Sequence, residues 1–520
     1  MAGSAQWAKR PDEPLLKGAL LVQIFTWIIA PASLPVVQSK PRGLAGSPAT
    51  EWGRRTLTCS APLASLLGLV ALTMITLGLG CAAGPSAQSA VAPSREPPAI
   101  WLSEVGTGQW RVVFSARQPT TGFRFARNPD DSRARRWQVE SGFELIHEQG
   151  TDFLRRKDGA PFQTASLTVP VRYVALPKEY APFSPYSDGG TLIYSGQFHV
   201  CAGKSECPHN ERWPIRVTPP EGTHLVAEGG VHESEFTFTD VGEGTNIYVG
   251  TTKPLLSSHF VAVLDPGLPP EVKAALEQLL PRIMDAFTTR LGRLPIKPML
   301  FASLDPAPPE GSEFGMQGGG LPGQIFFHLY GERWAKDAKD RLLDLLPWVF
   351  AHEVAHLFQF LGASGDTYPM EQSWIHEGGA EAFAALTVVG LGGASPEHVE
   401  KRIEAAIAEC AVGLEALGGK PLNASGKAGA FSNYYTCGLV IQLAIQAEVQ
   451  RTSAGARDLF DVWAHFSARV RAGEPWNQDT FLGSVSELGA VEAATFARAL
   501  ATTPQEDPLQ FLQNGLKQAR

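Results

Sequence analysis

The sequence predicts an α+β multidomain chain, with an N-terminal β-sandwich-like domain followed by a small sheet and a mostly helical C-terminal part. Three observations carry this. From about 99 to 252, short β-branched and aromatic runs alternate with turn residues. Between 258 and 330, apolar strand-like runs flank one long amphipathic stretch. Beyond 338, Ala-rich segments keep a helical apolar period as far as 515. A chain of 520 residues has room for two to four domains at about 150 residues each. The expected division is a leader at 1–81, a flexible tether at 82–98, an all-β domain at 99–252 and a second, mixed domain at 258–515.

The leader rests on charge and hydropathy. Residues 63–80, LASLLGLVALTMITLGLG, carry no charge; Arg54 and Arg55 precede them and Cys81-Ala82-Ala83-Gly84 follow. A positive segment, an apolar run and small residues at its end form an export pattern. The cysteine at the cleavage point resembles a bacterial lipoprotein signal, which implies lipidation of Cys81 and a membrane-anchored protein of the cell envelope, periplasmic or surface-facing. A plain signal peptide cut slightly later, or a permanent N-terminal transmembrane helix, fits the same run. Export signals sit at the true start of a chain, so residues 1–50 are expected to lie upstream of the translated start. The tether reads AAGPSAQSAVAPSREPP, Ala/Pro/Ser-rich with few large apolar side chains.

Within the β region the strand expectations are WRVVFSA at 110–116, FQTASLTVPVRYVAL at 162–176, TLIYSGQFHV at 191–200 and EFTFTDV at 235–241. After 258 come a strand HFVAVLD, a helix at 270–292, a strand KPMLFASL at 297–304, a loop PAPPEGSEFGMQGGGLPG, a strand QIFFHLY at 324–330 and a helix at 341–361. Apolar residues make up 44% of the chain, enough for a sizeable core. A net charge of −8 with no long basic block excludes nonspecific nucleic-acid binding as the main role. The six cysteines contain no C-x-x-C. With Cys59 removed and Cys81 lipidated, four remain. Cys201–Cys207 would close a short local loop and leave Cys410–Cys437 as the second pair, with free buried thiols as the alternative.

The chemistry lies in RLLDLLPWVFAHEVAHLFQFL at 341–361. His352 and His356, at i and i+4, stand on one helical face and can reach one metal ion. Glu353 follows the first of them, placed to act as a general base beside a metal-bound water. Zinc needs a third protein ligand and an open position. Trp374-Ile375-His376-Glu377-Gly378-Gly379-Ala380-Glu381 supplies it, with Glu377 at the start of a second helical run. Glu381, one turn further on, suits a contact to the second nitrogen of a ligand histidine. His376 reads as structural or substrate-facing.

HEVAH followed by WIHEGGAE resembles the gluzincin metallopeptidases, especially the aminopeptidase-N-like and glycyl-aminopeptidase-like families. The resemblance implies a thermolysin-like catalytic domain, Zn2+ as cofactor with His352, His356 and Glu377 as ligands, Glu353 as catalytic base, and a peptide or protein as substrate. Tyr435, in Tyr434-Tyr435-Thr436-Cys437-Gly438, matches the family tyrosine that hydrogen-bonds the oxyanion, although the family lysine is replaced by Cys437. Gly315-Met316-Gln317 matches the family's G-x-M-E-N segment just before an edge strand that binds substrate by strand addition. There Gln317 replaces the glutamate that binds a free α-amine, and a neutral amide cannot balance an ammonium, so aminopeptidase and endopeptidase action both stay open. A non-catalytic envelope module on the same scaffold and a zinc hydrolase of a non-peptide substrate are the competing readings.

Overall fold

The computed structural model describes residues 97–519, apart from 177–178, 204–205, 209–210, 308, 310–312, 337–338 and 360–368. The leader, Cys59, Cys81 and tether residues 82–96 lie outside the described residues. Among the described residues no helix is long and apolar enough to cross a membrane.

The fold is α+β, sheet-rich in its N-terminal part and helical in its C-terminal part. Three sheets form between Ala99 and Gly250. The first has six strands in the order Phe236–Val241, Arg212–Thr218, Ala99–Gly106, Gln109–Thr120, Phe162–Pro170 and Gln138–Val139. Its only parallel pairing joins Ala99–Gly106 to Arg212–Thr218. The alternation expected of half-buried strands is present: Ile100, Leu102, Val112, Phe114, Ile215 and Val217 are all buried in one core. The run at 162–176 is a strand only over Phe162–Pro170, and the run at 191–200 breaks after Tyr194 into a 3₁₀ turn, Ser195–Phe198.

A five-stranded sheet containing Thr191–Tyr194 and Asn246–Gly250 is covered on both faces. Ile193 and Ile247 face the β core, whereas Leu192 and Tyr248 join Val261, Phe301 and Phe326 of the next sheet. That next sheet has the order Leu255–Leu256, Val261–Leu264, Met299–Asp305, Gln324–Tyr330 and Gly315–Leu321. It corrects one expectation. Gly315–Leu321 is an ordered edge strand rather than loop, antiparallel to Gln324–Tyr330 through a Pro322-Gly323 turn, and QIFFHLY is an inner strand. Glycine is poor strand material, which is why the segment reads as loop. Here its bare positions are where other groups approach: a Cβ on Gly318 would lie 2.6 Å from the Phe327 ring, and one on Gly319 would lie 2.3 Å from the Tyr180 hydroxyl.

The other face of this sheet carries the main core, to which the helices Pro270–Leu291, Lys339–Gln359, Trp374–Thr387, Pro396–Ala416 and Ser432–Thr452 all contribute. Two of them touch backbone to backbone. A Cβ on Gly378 would lie 2.2 Å from the Gly438 carbonyl carbon, and one on Gly438 would lie 2.6 Å from Trp374 O. Gly438→Ala must therefore push the Trp374–Thr387 and Ser432–Thr452 helices apart. It is expected to lower stability by about 1–3 kcal/mol, read as a shifted urea midpoint at unchanged slope.

Cys201 is bonded to Cys207 and Cys410 to Cys437. The second bridge ties the Pro396–Ala416 helix to the Ser432–Thr452 helix across a sequence separation of 27. Closing a loop of that length restricts the unfolded chain by roughly 3.5 kcal/mol. Replacing both cysteines by serine should cost about that much in equilibrium unfolding.

Candidate metal centre

The helix Lys339–Gln359 buries Leu342, Leu346, Phe350, Val354 and Phe358 in the main core. That stripe fixes the helix's rotation and turns His352 and His356 towards the neighbouring helix Trp374–Thr387. His352 Nε2 lies 3.1 Å from His356 Nε2, and each lies 3.3 Å from Glu377 Oε2. One ligand atom from each of the three residues falls within 4.8 Å of the others. Glu377 Oε2 is buried and receives no hydrogen bond of good geometry. Two imidazole nitrogens and an orphaned carboxylate oxygen converging on one point are a donor set for a divalent cation, and zinc fits it.

Neighbours hold both imidazoles in the orientation that a metal needs. His356 Nδ1 lies 2.8 Å from Gln359 Oε1, and Gln359 donates its amide N–H to His376 O at 2.9 Å. The second bond fixes which end of the amide faces the ring, so Nδ1 carries the proton and Nε2 is left as the ligand atom. His352 Nδ1 lies 2.9 Å from Glu381 Oε1. The other oxygen, Oε2, accepts from Trp348 Nε1 at 3.0 Å.

The charges of these groups act on one another. Burial lowers the His352 pKa, but Glu377 and Glu381 outweigh it and raise the group to about 10. Burial opposes ionisation of Glu377, yet His356, His352 and His376 hold its carboxyl well below the usual range.

Glu353 is not among the three converging donors. Burial raises its pKa towards the range useful to a general base. Its Oε2 would be 3.6 Å from a Cβ on Gly320, so the carboxylate faces bare backbone of the edge strand. The Tyr435 ring stacks on His352, with centroids 5.7 Å apart and planes 14° apart. Burial, then Glu377 and Glu353, push its phenol well above the ordinary pKa, so it stays a donor. Tyr434 points elsewhere: it is fully buried, accepts from Gly426 N at 2.9 Å and donates to Asn423 O at 3.4 Å.

The structure therefore brings together His352, Glu353, His356, Glu377, Glu381 and Tyr435. It does not bring the Gln317 side chain to them. Gln317 and Gly320 point to opposite faces of the strand, and Gln317 donates to Glu179 O at 3.1 Å on the side away from Glu353. Met316 packs against the main core, and Gly315 O accepts from Trp334 Nε1 at 2.8 Å. His376 lies beside the second oxygen of Glu377, Nε2 to Oε1 at 3.4 Å.

Sequence reasoning missed Gln359, Trp348 and Tyr180. Gln359 had a readable signal, since it stands three residues after His356 on the same helical face. Trp348 stands four residues before His352 and is legible in the same way. Tyr180 comes from the sheet-rich part, where its hydroxyl donates to Gly320 O at 3.3 Å, and no local pattern announces it.

No family model matches the chain, and no curated protein does. Solved structures are similar to it to different degrees, and the first of these shares its fold. An aminopeptidase N family protein from Idiomarina loihiensis superposes with a TM-score of 0.57 at 12% identity, over 80% of this chain and 78% of that one. An M1 zinc metallopeptidase from Deinococcus radiodurans bound to a Tyr-Ser-Ala substrate gives a TM-score of 0.42 at 15% identity, over 80% and 95% of the two chains. Yeast LTA4 hydrolase gives 0.45 at 11% identity, over 79% and 68%.

Proposed function

We propose that this protein is a zinc-dependent metallopeptidase, exported and lipid-anchored at the cell envelope. The observation that carries the reading is the convergence of His352, His356 and Glu377, each with one ligand atom within 4.8 Å of the others, with Tyr435 stacked on His352 and Glu353 facing the edge strand at Gly320. These three residues would hold the zinc. Bound there, it supplies Lewis-acid polarisation of a carbonyl and lowers the pKa of water to about 7.

The chain's own residues supply the rest. The edge strand Gly315–Leu321 offers backbone groups to an extended peptide, and Gly320 leaves room for that peptide in front of Glu353. Glu353 takes a proton from the attacking water and returns it to the leaving amine. Tyr435 donates its O–H to the carbonyl oxygen as negative charge builds there. The aminopeptidase N family fold supports this reading. Export is supported by Arg54, Arg55 and the uncharged run before Cys81, and by two disulfides, which suit an oxidising compartment.

Chelator-treated protein should cleave no peptide, and added zinc should restore cleavage. Two substrates distinguish the type: one with a free α-amine and a reporter after the first residue, and one blocked and internally quenched. Cleavage of the free-amine peptide alone makes the protein an aminopeptidase. Cleavage of the blocked peptide makes it an endopeptidase, in keeping with a Gln317 that bears no charge. Zinc-loaded protein that cleaves neither would refute the peptidase reading.

A further inference from the structure

We propose that Arg402 is a positioning residue of the metal centre, acting on His352 through Glu381. The inference rests on the zinc reading above. Arg402 belongs to the Pro396–Ala416 helix, which contributes no ligand. Its guanidinium lies over the Trp348 ring, 4.1 Å from the centroid, and its Nη2 lies 3.8 Å from Glu381 Oε2. Trp348 is buried and donates to that same oxygen, so one indole both seats the arginine and pins the carboxylate. The other oxygen of Glu381 faces His352 Nδ1 at 2.9 Å. The result is a continuous chain from guanidinium to carboxylate to imidazole, ending at a ligand nitrogen.

Charge gives the chain its purpose. Glu353, Glu377 and Glu381 crowd one buried region, and two imidazoles with a dication do not balance three carboxylates around every oxygen. Among the described residues, Arg402 is the one lysine or arginine that pairs with any of them. A carboxylate whose Oε2 is held by the guanidinium and the indole keeps its other oxygen on His352 Nδ1, which leaves His352 Nε2 turned towards the other two donors. The planar guanidinium can stack on the indole and still reach Glu381, whereas a lysine gives only a point charge.

The test measures zinc affinity of the whole protein by competition with a chromophoric chelator, independently of turnover. Arg402→Met keeps the aliphatic stem over Trp348 and removes the charge; Arg402→Lys restores the charge without the plane. Losing a partner of a ligand weakens metal binding 10–100-fold, so Glu381→Ala should fall in that range and Arg402→Met near the lower end, about tenfold. Arg402→Lys should recover part of the loss, and the melting temperature of the metal-free protein should stay unchanged. In a Glu381→Ala background, Arg402→Met should cost nothing further. Unchanged zinc affinity in Arg402→Met, or an equal loss in the Glu381→Ala background, would overturn the proposal. Wild-type protein that binds no zinc would instead overturn the metal reading on which it rests.

Discussion

Glu353→Gln is expected to lower kcat/KM on a cleaved peptide by about 10²–10⁴-fold while zinc binding stays intact. The substitution keeps the shape of the side chain and removes only its capacity to accept a proton. Glu353 lies outside the set of three converging donors, so the ligands stay in place. Its carboxylate is already costly to ionise because it is buried, and replacing it by a neutral amide leaves the fold at least as stable. Kinetics on the zinc-loaded variant, zinc stoichiometry and circular dichroism together decide the matter. Retention of activity within a few-fold would place the base elsewhere. Joint loss of zinc and activity would make Glu353 part of the metal site and would remove the assignment of His352, His356 and Glu377 as the complete protein ligand set.

What the sequence discloses about this centre follows the range of the interactions that build it. His352, Glu353 and His356 are legible because a helix converts a spacing of four into a shared face, and Gln359 obeys the same rule. Glu377 is legible because a second helical run restarts around it. Arg402 is not, since it reaches Glu381 from a separate helix and no spacing links the two. The edge strand reads as loop because glycine is judged by its strand propensity, whereas here Phe327, Tyr180 and Glu353 occupy or face the space that side chains would fill. The sheet containing Thr191–Tyr194 shows the same limit at the level of the fold. Its strands are buried on both faces by layers distant in sequence, so the alternation of a half-buried strand is absent there. Composition and local period reach the class of the fold, and contacts between layers decide which strand lies beside the three donors.

Tyr435→Phe should reduce kcat by about 10²–10³-fold with KM little changed. The phenylalanine ring can keep the stack on His352, 5.7 Å between centroids, so the ligand histidine stays supported and only the hydroxyl is lost. A donor that meets the substrate oxygen as charge develops contributes to the transition state and little to the bound substrate, which puts the loss in kcat. Tyr434→Phe supplies the contrast from the neighbouring residue. Its hydroxyl serves Gly426 N and Asn423 O in a half-buried turn, so the change should cost roughly 1 kcal/mol of stability and leave kcat unaltered. The two variants differ by one position in sequence and by the direction that the helix Ser432–Thr452 gives each ring. That direction is fixed by the Gly378–Gly438 crossing and by the Cys410–Cys437 bridge two residues beyond Tyr435. Equal losses of kcat in both variants would mean that the tyrosine pair acts by packing alone. A loss confined to Tyr435→Phe, with unfolding confined to Tyr434→Phe, would assign the oxyanion donor to one hydroxyl and the integrity of the turn to the other.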